Sequence, residues 1–368
     1  MLVATCARTQ ATTGIQPGQD WPGFRGNAEL TGVAATTLPD APKVIWTFQA
    51  EAGFESQAAI GGGNVYLGSL DGTLYCLSLD AGKLIWKYAA GASIKSSPAI
   101  GEGVVYFGDE EGRFHAVDAG AGTRRWVFQT GAAIVSSAAL TSGKVLFGSN
   151  DNNLYAVSAK DGALIWKVAT GGYVYGTPAI VTRDGAPAAV SAGCDGFLRV
   201  VRVRDGTLVA KLELGSYVGA SPAIAGNRAF FGTFDNQFLA VDLAGPTILW
   251  KYEHPERKFP YYSSAALGGA VVVVGGRDKM VHALKTETGA SVWTYETRAK
   301  VDASPVIAGD RVVAANTAGD VFLLDKRTGR EVWRFEAGSS FVGSPAVVAG
   351  RILIGTTAGL LYAFGGGR

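Results

Sequence analysis

Ser97-Pro98-Ala99-Ile100, Val104-Val105-Tyr106-Phe107, Arg113-Phe114-His115-Ala116-Val117 and Arg124-Arg125-Trp126-Val127-Phe128 are four short β-prone runs in one stretch of chain. Gly101-Glu102-Gly103, Glu110-Glu111-Gly112 and Ala119-Gly120-Ala121-Gly122 separate them. Short strands at this spacing, punctuated by Gly and Asp, argue for an all-β fold. The second run is apolar throughout rather than alternating, as expected of a strand covered on both faces.

The unit recurs along the chain. Trp46, Trp86, Trp126 and Trp166 stand 40 residues apart, and Trp250, Trp293 and Trp333 follow at spacings of 43 and 40. A period of about 40 residues marks a repeat architecture. A small polar residue lies eleven positions after most of these tryptophans, at Gln57, Ser97, Ser137, Thr177, Ser304 and Ser344. After Trp250 a longer loop displaces this landmark to Ser264. A small residue stands eighteen positions before the next tryptophan, at Gly68, Gly108, Gly148, Gly232, Gly275 and Ala315. Carrying these offsets through the gap brings Ala192 and Ser221 into register and puts Ala210 in a tryptophan slot that has lost its tryptophan. Two insertions break the register. One surrounds Arg183-Asp184-Gly185-Ala186-Pro187, which reads as a longer turn, and the other is His254-Pro255-Glu256-Arg257-Lys258-Phe259-Pro260-Tyr261-Tyr262.

Counting the polar landmark gives eight units of four strands, repeated radially: an eight-bladed β-propeller. The last unit stops after three strands, and Lys43-Val44-Ile45-Trp46-Thr47-Phe48 precedes any complete unit. The N-terminal strand is therefore expected to complete the C-terminal blade and remove two free edges. The expected organisation is a flexible tether over 1–20, a lead-in over 21–42 and one propeller over 43–368.

The net charge of +2 gives no electrostatic case for nucleic acid. No run of 18 apolar residues encodes a transmembrane helix. Cys6, Cys76 and Cys194 have no metal-site spacing, and Cys76 and Cys194 fall in blades too distant for a disulfide. Met1-Leu2-Val3-Ala4-Thr5-Cys6 is similar to the tail of a bacterial lipoprotein signal, in which Cys6 would be acylated. It departs from one in lacking a charged segment and in having Thr5 before the cysteine, and an arbitrary start is the alternative.

The unit endings Ala116-Val117-Asp118-Ala119-Gly120-Ala121-Gly122-Thr123-Arg124-Arg125-Trp126 and Leu324-Asp325-Lys326-Arg327-Thr328-Gly329-Arg330-Glu331-Val332-Trp333 resemble the pyrroloquinoline-quinone-like (PQQ-like) repeat family. Trp21-Pro22-Gly23-Phe24-Arg25-Gly26-Asn27 resembles a lead-in found on bacterial members. The resemblance implies one of two functions. Quinoprotein dehydrogenases hold PQQ and Ca²⁺ in the central funnel. Non-enzymatic relatives of the BamB type are periplasmic, lipid-anchored scaffolds for outer-membrane protein assembly, and blade count and size favour this second branch.

The residues themselves offer little for catalysis. Asp71, Glu111, Asp151, Asp195, Asp235 and Asp278 recur at one turn position in six blades, a wide ring rather than the convergent oxygens Ca²⁺ needs. His115 and His282 fall in a slot otherwise held by Tyr75, Tyr155 and Tyr362, which leaves only His254 outside the repeat. The landmark serines read as small residues required for packing near the axis. No catalytic, cofactor-binding or metal-binding residues are expected.

A binding surface is better supported. Two residues before the polar landmark, a position expected at the channel mouth reads Glu55, Lys95, Val135, Tyr175, Gly219, Tyr262, Asp302 and Val342. The insertion adds Arg257, Lys258, Phe259 and Tyr261 on the same face, and aromatic and Arg residues on a rigid rim are typical interface anchors. The expected function is a monomeric, non-catalytic scaffold that binds a protein partner in the bacterial envelope. A PQQ-dependent dehydrogenase or quinone-binding remnant, and a ligand-sensing ectodomain, are the alternatives.

Overall fold

The computed structural model describes residues 16 and 18–366, and Cys6 with most of the tether lies outside them. The described residues form eight sheets arranged as an eight-bladed β-propeller, without helices. Blades 1 to 7 span 59–89, 99–129, 139–169, 179–213, 223–252, 266–296 and 306–336. Blade 8 joins 346–365 to Lys43–Gln49, which pairs antiparallel with Leu360–Gly365, Trp46 opposite Ala363. The ring is thus closed by the two ends of the propeller sequence. In each blade the second and third strands are nearly all buried, as their unbroken apolar runs require.

Tryptophans staple six of the eight seams between blades. Trp46, Trp86, Trp126, Trp166, Trp250 and Trp293 donate through Nε1 to Leu79, Ala119, Ala159, Val203, Thr286 and Lys326 carbonyls of the following blade, at 2.8–3.1 Å. Each indole also covers a turn glycine, such as Gly122 beneath Trp86, whose φ of 68° and lack of a side chain suit that contact. At Ala210 both halves of the staple are gone, because Pro246 occupies the turn-glycine position of blade 5. Here the structure corrects the reading of 183–187 as merely a longer turn. Arg183 donates to the carbonyls of Leu243 (2.7 Å) and Ala244 (3.2 Å), and Leu243 is the counterpart of the carbonyls the tryptophans reach.

The small polar landmarks also do more than pack. Each hydroxyl accepts a hydrogen bond from the landmark N–H of the preceding blade. Seven such bonds of 2.8–3.2 Å run from Gln57 N–H to Ser97, then to Ser137, Thr177, Ser221, Ser264, Ser304 and Ser344. The circuit changes character at Gln57. Its Nε2 donates to Pro345 O (2.5 Å), while its Oε1 accepts from the Arg25 N–H (2.8 Å).

Arg25 belongs to the lead-in, which the structure places as a strap across one end of the channel. Ala349 N–H donates to Gly18 O, and Ile60, Ile100, Ile180, Ile224, Leu267 and Ile307 donate in turn to Trp21, Pro22, Ala28, Glu29, Thr31 and Gly32 carbonyls. The segment then adds Val33–Ala34 as a parallel fifth strand on blade 7. It circles from blade 8 to blade 7 and skips blade 3, where 23–27 turn inward. Arg25 is completely buried, and its guanidinium donates to Ser304, Ala265 and Pro305 carbonyls. Burial without a carboxylate works against the charge and lowers the guanidinium's pKa to about 9.

Two substitutions test these devices. Ser137→Ala removes one ring hydroxyl and leaves the buried Ser97 N–H unpaired, which should cost about 1–3 kcal/mol in denaturant unfolding. Gly32→Ala should cost at least as much, on the order of 3 kcal/mol, because its φ is 63° and a methyl would overlap the Arg25 guanidinium.

Candidate functional site

The strap covers the face made by the hairpins between first and second strands. The opposite face carries the loops that enter each innermost strand and the turns between second and third strands. All eight mouth positions, from Glu55 to Val342, are half-buried there. Lys95 pairs with Glu110 at 2.6 Å. Asp302 pairs with Arg277, whose guanidinium lies 3.6 Å from the centre of the Tyr262 ring. Tyr262 in turn stacks on Phe234 at 4.6 Å, and Phe234 fills the space above Gly219. One wall of the mouth is therefore a layered array, Phe234–Tyr262–Arg277–Asp302, held across blades 5 to 7.

The neighbouring loops extend this aromatic character. Tyr173 packs edge-on against Tyr175 at 5.6 Å. Burial, then Cys194 and Tyr173, hold the Tyr175 phenol above its ordinary pKa, while the Lys95 charge pulls it down. Tyr173, Tyr217 and Phe259 are 47%, 59% and 50% exposed, unusual for large aromatic side chains. Four positions before the landmark, the loops carry Gly53, Ser93, Ala133, Tyr173, Tyr217, Pro260, Lys300 and Ser340. The aromatic residues there are confined to the loops entering blades 4 and 5. With Tyr175, Phe234, Phe259 and Tyr262 they make an arc over blades 4 to 6. Among the described residues, Tyr173, Tyr175, Tyr217 and Tyr262 make no hydrogen bond through their hydroxyls. Tyr173, Tyr217 and Phe234 were not among the residues singled out by sequence, although comparing loops at this offset exposes the first two.

The insertion contributes unevenly. Arg257 pairs with Glu296 at 2.8 Å, and Lys258 lies 3.8 Å from Glu253. His254 Nδ1 accepts from the Glu256 and Arg257 N–H groups and so shapes the loop. Tyr261, expected on the surface, is instead 1% exposed. It occupies the buried position held elsewhere by Phe54, Ile94, Ile134, Val174, Val218, Val301 and Phe341, directly against Gly232. That slot is apolar in every unit, so its place in the core was readable from the register.

Most of the turn carboxylates are engaged locally, Asp235 being the exception. Asp71 accepts from Tyr75 (2.8 Å), Asp151 from Tyr155 (2.7 Å) and Asp195 from Arg199. Asp278 faces His282 at 2.9 Å, and His115 faces Asp109 at 3.1 Å. These contacts tie turns to strands. Among the described residues, no three His, Cys, Asp or Glu side chains are grouped to hold a metal. The tryptophans stand in the blade seams, and Trp21 lies in the strap, so none forms a floor for a quinone at the mouth.

A family model described as "Outer membrane protein assembly factor BamB" matches residues 32–191, 179–297 and 256–366. The chain belongs to this PQQ-like propeller family. Solved structures of PQQ-like propellers share its fold at low identity. BamB from Moraxella catarrhalis is 18% identical with a TM-score of 0.75, over 89% of this chain and 98% of that one. Quinohemoprotein alcohol dehydrogenase from Comamonas testosteroni is 12% identical with a TM-score of 0.79, over 95% and 81%. A europium-containing methanol dehydrogenase is 12% identical with a TM-score of 0.79, over 95% and 98%. No curated protein sequence matches. Among the described residues, no helix is long and apolar enough to cross a membrane.

The rigidity of the mouth array is measurable. A double-mutant cycle on Phe234→Ala and Tyr262→Ala should give a coupling of about 0.5–1.5 kcal/mol in thermal or denaturant unfolding.

Proposed function

We propose that this PQQ-like propeller is a non-catalytic scaffold that binds a protein partner through the mouth opposite the strap. The observation that carries this reading is the aromatic arc, in which exposed rings sit on rigid loops and four tyrosine hydroxyls have no intramolecular use. Large aromatic side chains of this kind supply contact area with little conformational entropy to lose. Lys95, Arg257 and Arg277 are each paired with a carboxylate, so the surface is suited to a polypeptide rather than a polyanion.

The family description supports a partner in outer-membrane protein assembly and a place in the bacterial envelope; a lipid anchor at Cys6 is part of the same proposal. The dehydrogenase structures share the propeller, yet the turn carboxylates Asp71, Asp151 and Asp195 of this chain bond within their own blades, and its tryptophans stand in the seams and the strap. PQQ and Ca²⁺ are therefore not part of the proposed function.

Affinity capture from a bacterial envelope fraction should retain a protein partner, and the combined Arg257→Ala, Phe259→Ala and Tyr262→Ala variant should lose it. Retention by that variant would remove this face from consideration. Titration with PQQ and Ca²⁺ should give no stoichiometric absorbance change, whereas a change accompanied by dye-linked alcohol oxidation would establish the quinoprotein alternative.

A further inference from the structure

The seam between blades 4 and 5 differs from its neighbours in four respects. Ala210 replaces the stapling tryptophan, and Pro246 replaces the glycine it would cover. Arg183 supplies a polar contact to Leu243 O where an indole N–H would reach. Leu30 of the strap belongs to a buried apolar cluster that includes Val190 and Val200 of blade 4 and Ile224 and Val241 of blade 5. Leu30 is 3% exposed and has a φ of 57°, and the adjoining strap anchor Arg25 has a φ of 61°. Non-glycine residues adopt this backbone region at a cost and persist there only when their surroundings hold them. Together with the strap's backbone hydrogen bonds, these two buried side chains hold it in place.

The aromatic arc straddles this same seam on the other face. Tyr173 and Tyr175 lie on the loop entering blade 4, while Tyr217 and Phe234 lie on the entry loop and turn of blade 5. Phe234 N–H donates to Tyr217 O at 3.0 Å, and Cys194 N–H, on a blade 4 turn, donates to Tyr173 O at 2.9 Å. The aromatic groups therefore move with their respective blades.

We propose that the blade 4–5 seam is an adjustable joint of the rim, locked from the opposite face by Leu30 of the strap and from the periphery by Arg183. Loosening either lock lets the two blades separate and changes the spacing of Tyr175 and Phe234. The functional consequence rests on the partner-binding reading above; the joint itself does not.

Hydrogen exchange on the full chain tests the joint without any partner. Leu30→Ala and Arg183→Ala should each speed exchange by about tenfold in Leu208–Glu213 and Thr247–Tyr252, leaving the blade 1–2 seam unchanged. Cys194, whose Sγ lies 3.8 Å from Val218 O, is a native reporter on the mouth side of this seam. Its alkylation, mapped by mass spectrometry, should accelerate in the same variants. The variant Arg183→Ala/Ala210→Trp/Pro246→Gly rebuilds the staple and should return both rates to the wild-type level or below. Uniform acceleration over all blades, or no change at this seam, would overturn the joint. If the seam opens but capture of the envelope partner is unaffected, the joint stands and its link to binding fails.

Discussion

The circuit of hydrogen bonds from seven of the eight landmark N–H groups to the next blade's hydroxyl is the constraint on which the molecule depends. It fixes eight innermost strands at one height around the axis. Backbone donors near the axis are buried and need partners. A hydroxyl two bonds from the backbone reaches the neighbouring blade without crowding the channel, which explains why Ser and Thr recur rather than Ala. Gln57 is longer than the others, and its amide both extends the circuit to Pro345 and takes hold of Arg25. The ring and the strap are therefore one hydrogen-bonded system, and one end of the channel is covered as a consequence of how the ring closes.

The outer circumference is held by a separate device. Indoles reach carbonyls in the next blade wherever a tryptophan and a turn glycine face each other. Where both are missing, an arginine from an inserted hairpin reaches the same carbonyl and a strap leucine fills the interior. The polar contact of the missing tryptophan is thus taken over by a residue 60 positions away from its acceptor. With the strap on one face and architecture occupying the tryptophans, buried histidines and turn carboxylates, the aromatic mouth is the surface left for recognition.

Much of the fold was legible because a repeat states each structural rule several times. The strand pattern, the ring closure through residues 43–49 and the vacant slot at Ala210 all follow from offsets alone. Tyr261 shows the same logic neglected, since its offset places it in an apolar slot that is buried in every unit. What offsets could not convey were contacts made once. Arg25 reaches Ala265 and Ser304 across some 240 to 280 residues, and Arg183 reaches Leu243 across 60. No periodicity encodes such pairs. Phe234 escaped notice because it lies on the turn between second and third strands, whose members Glu110 and Arg277 also reach the mouth, a role the entry-loop offsets do not reveal.

The account's central claim is that one face is closed by the strap and the other is the face of recognition. Site-specific photo-crosslinking in an envelope fraction tests it most directly, with the probe placed at Tyr217 on the aromatic arc or at Arg204 on the strap-covered face. Crosslinks to a protein partner from position 217 and none from 204 are the predicted result. Crosslinks from 204 alone, or equally from both, would contradict it.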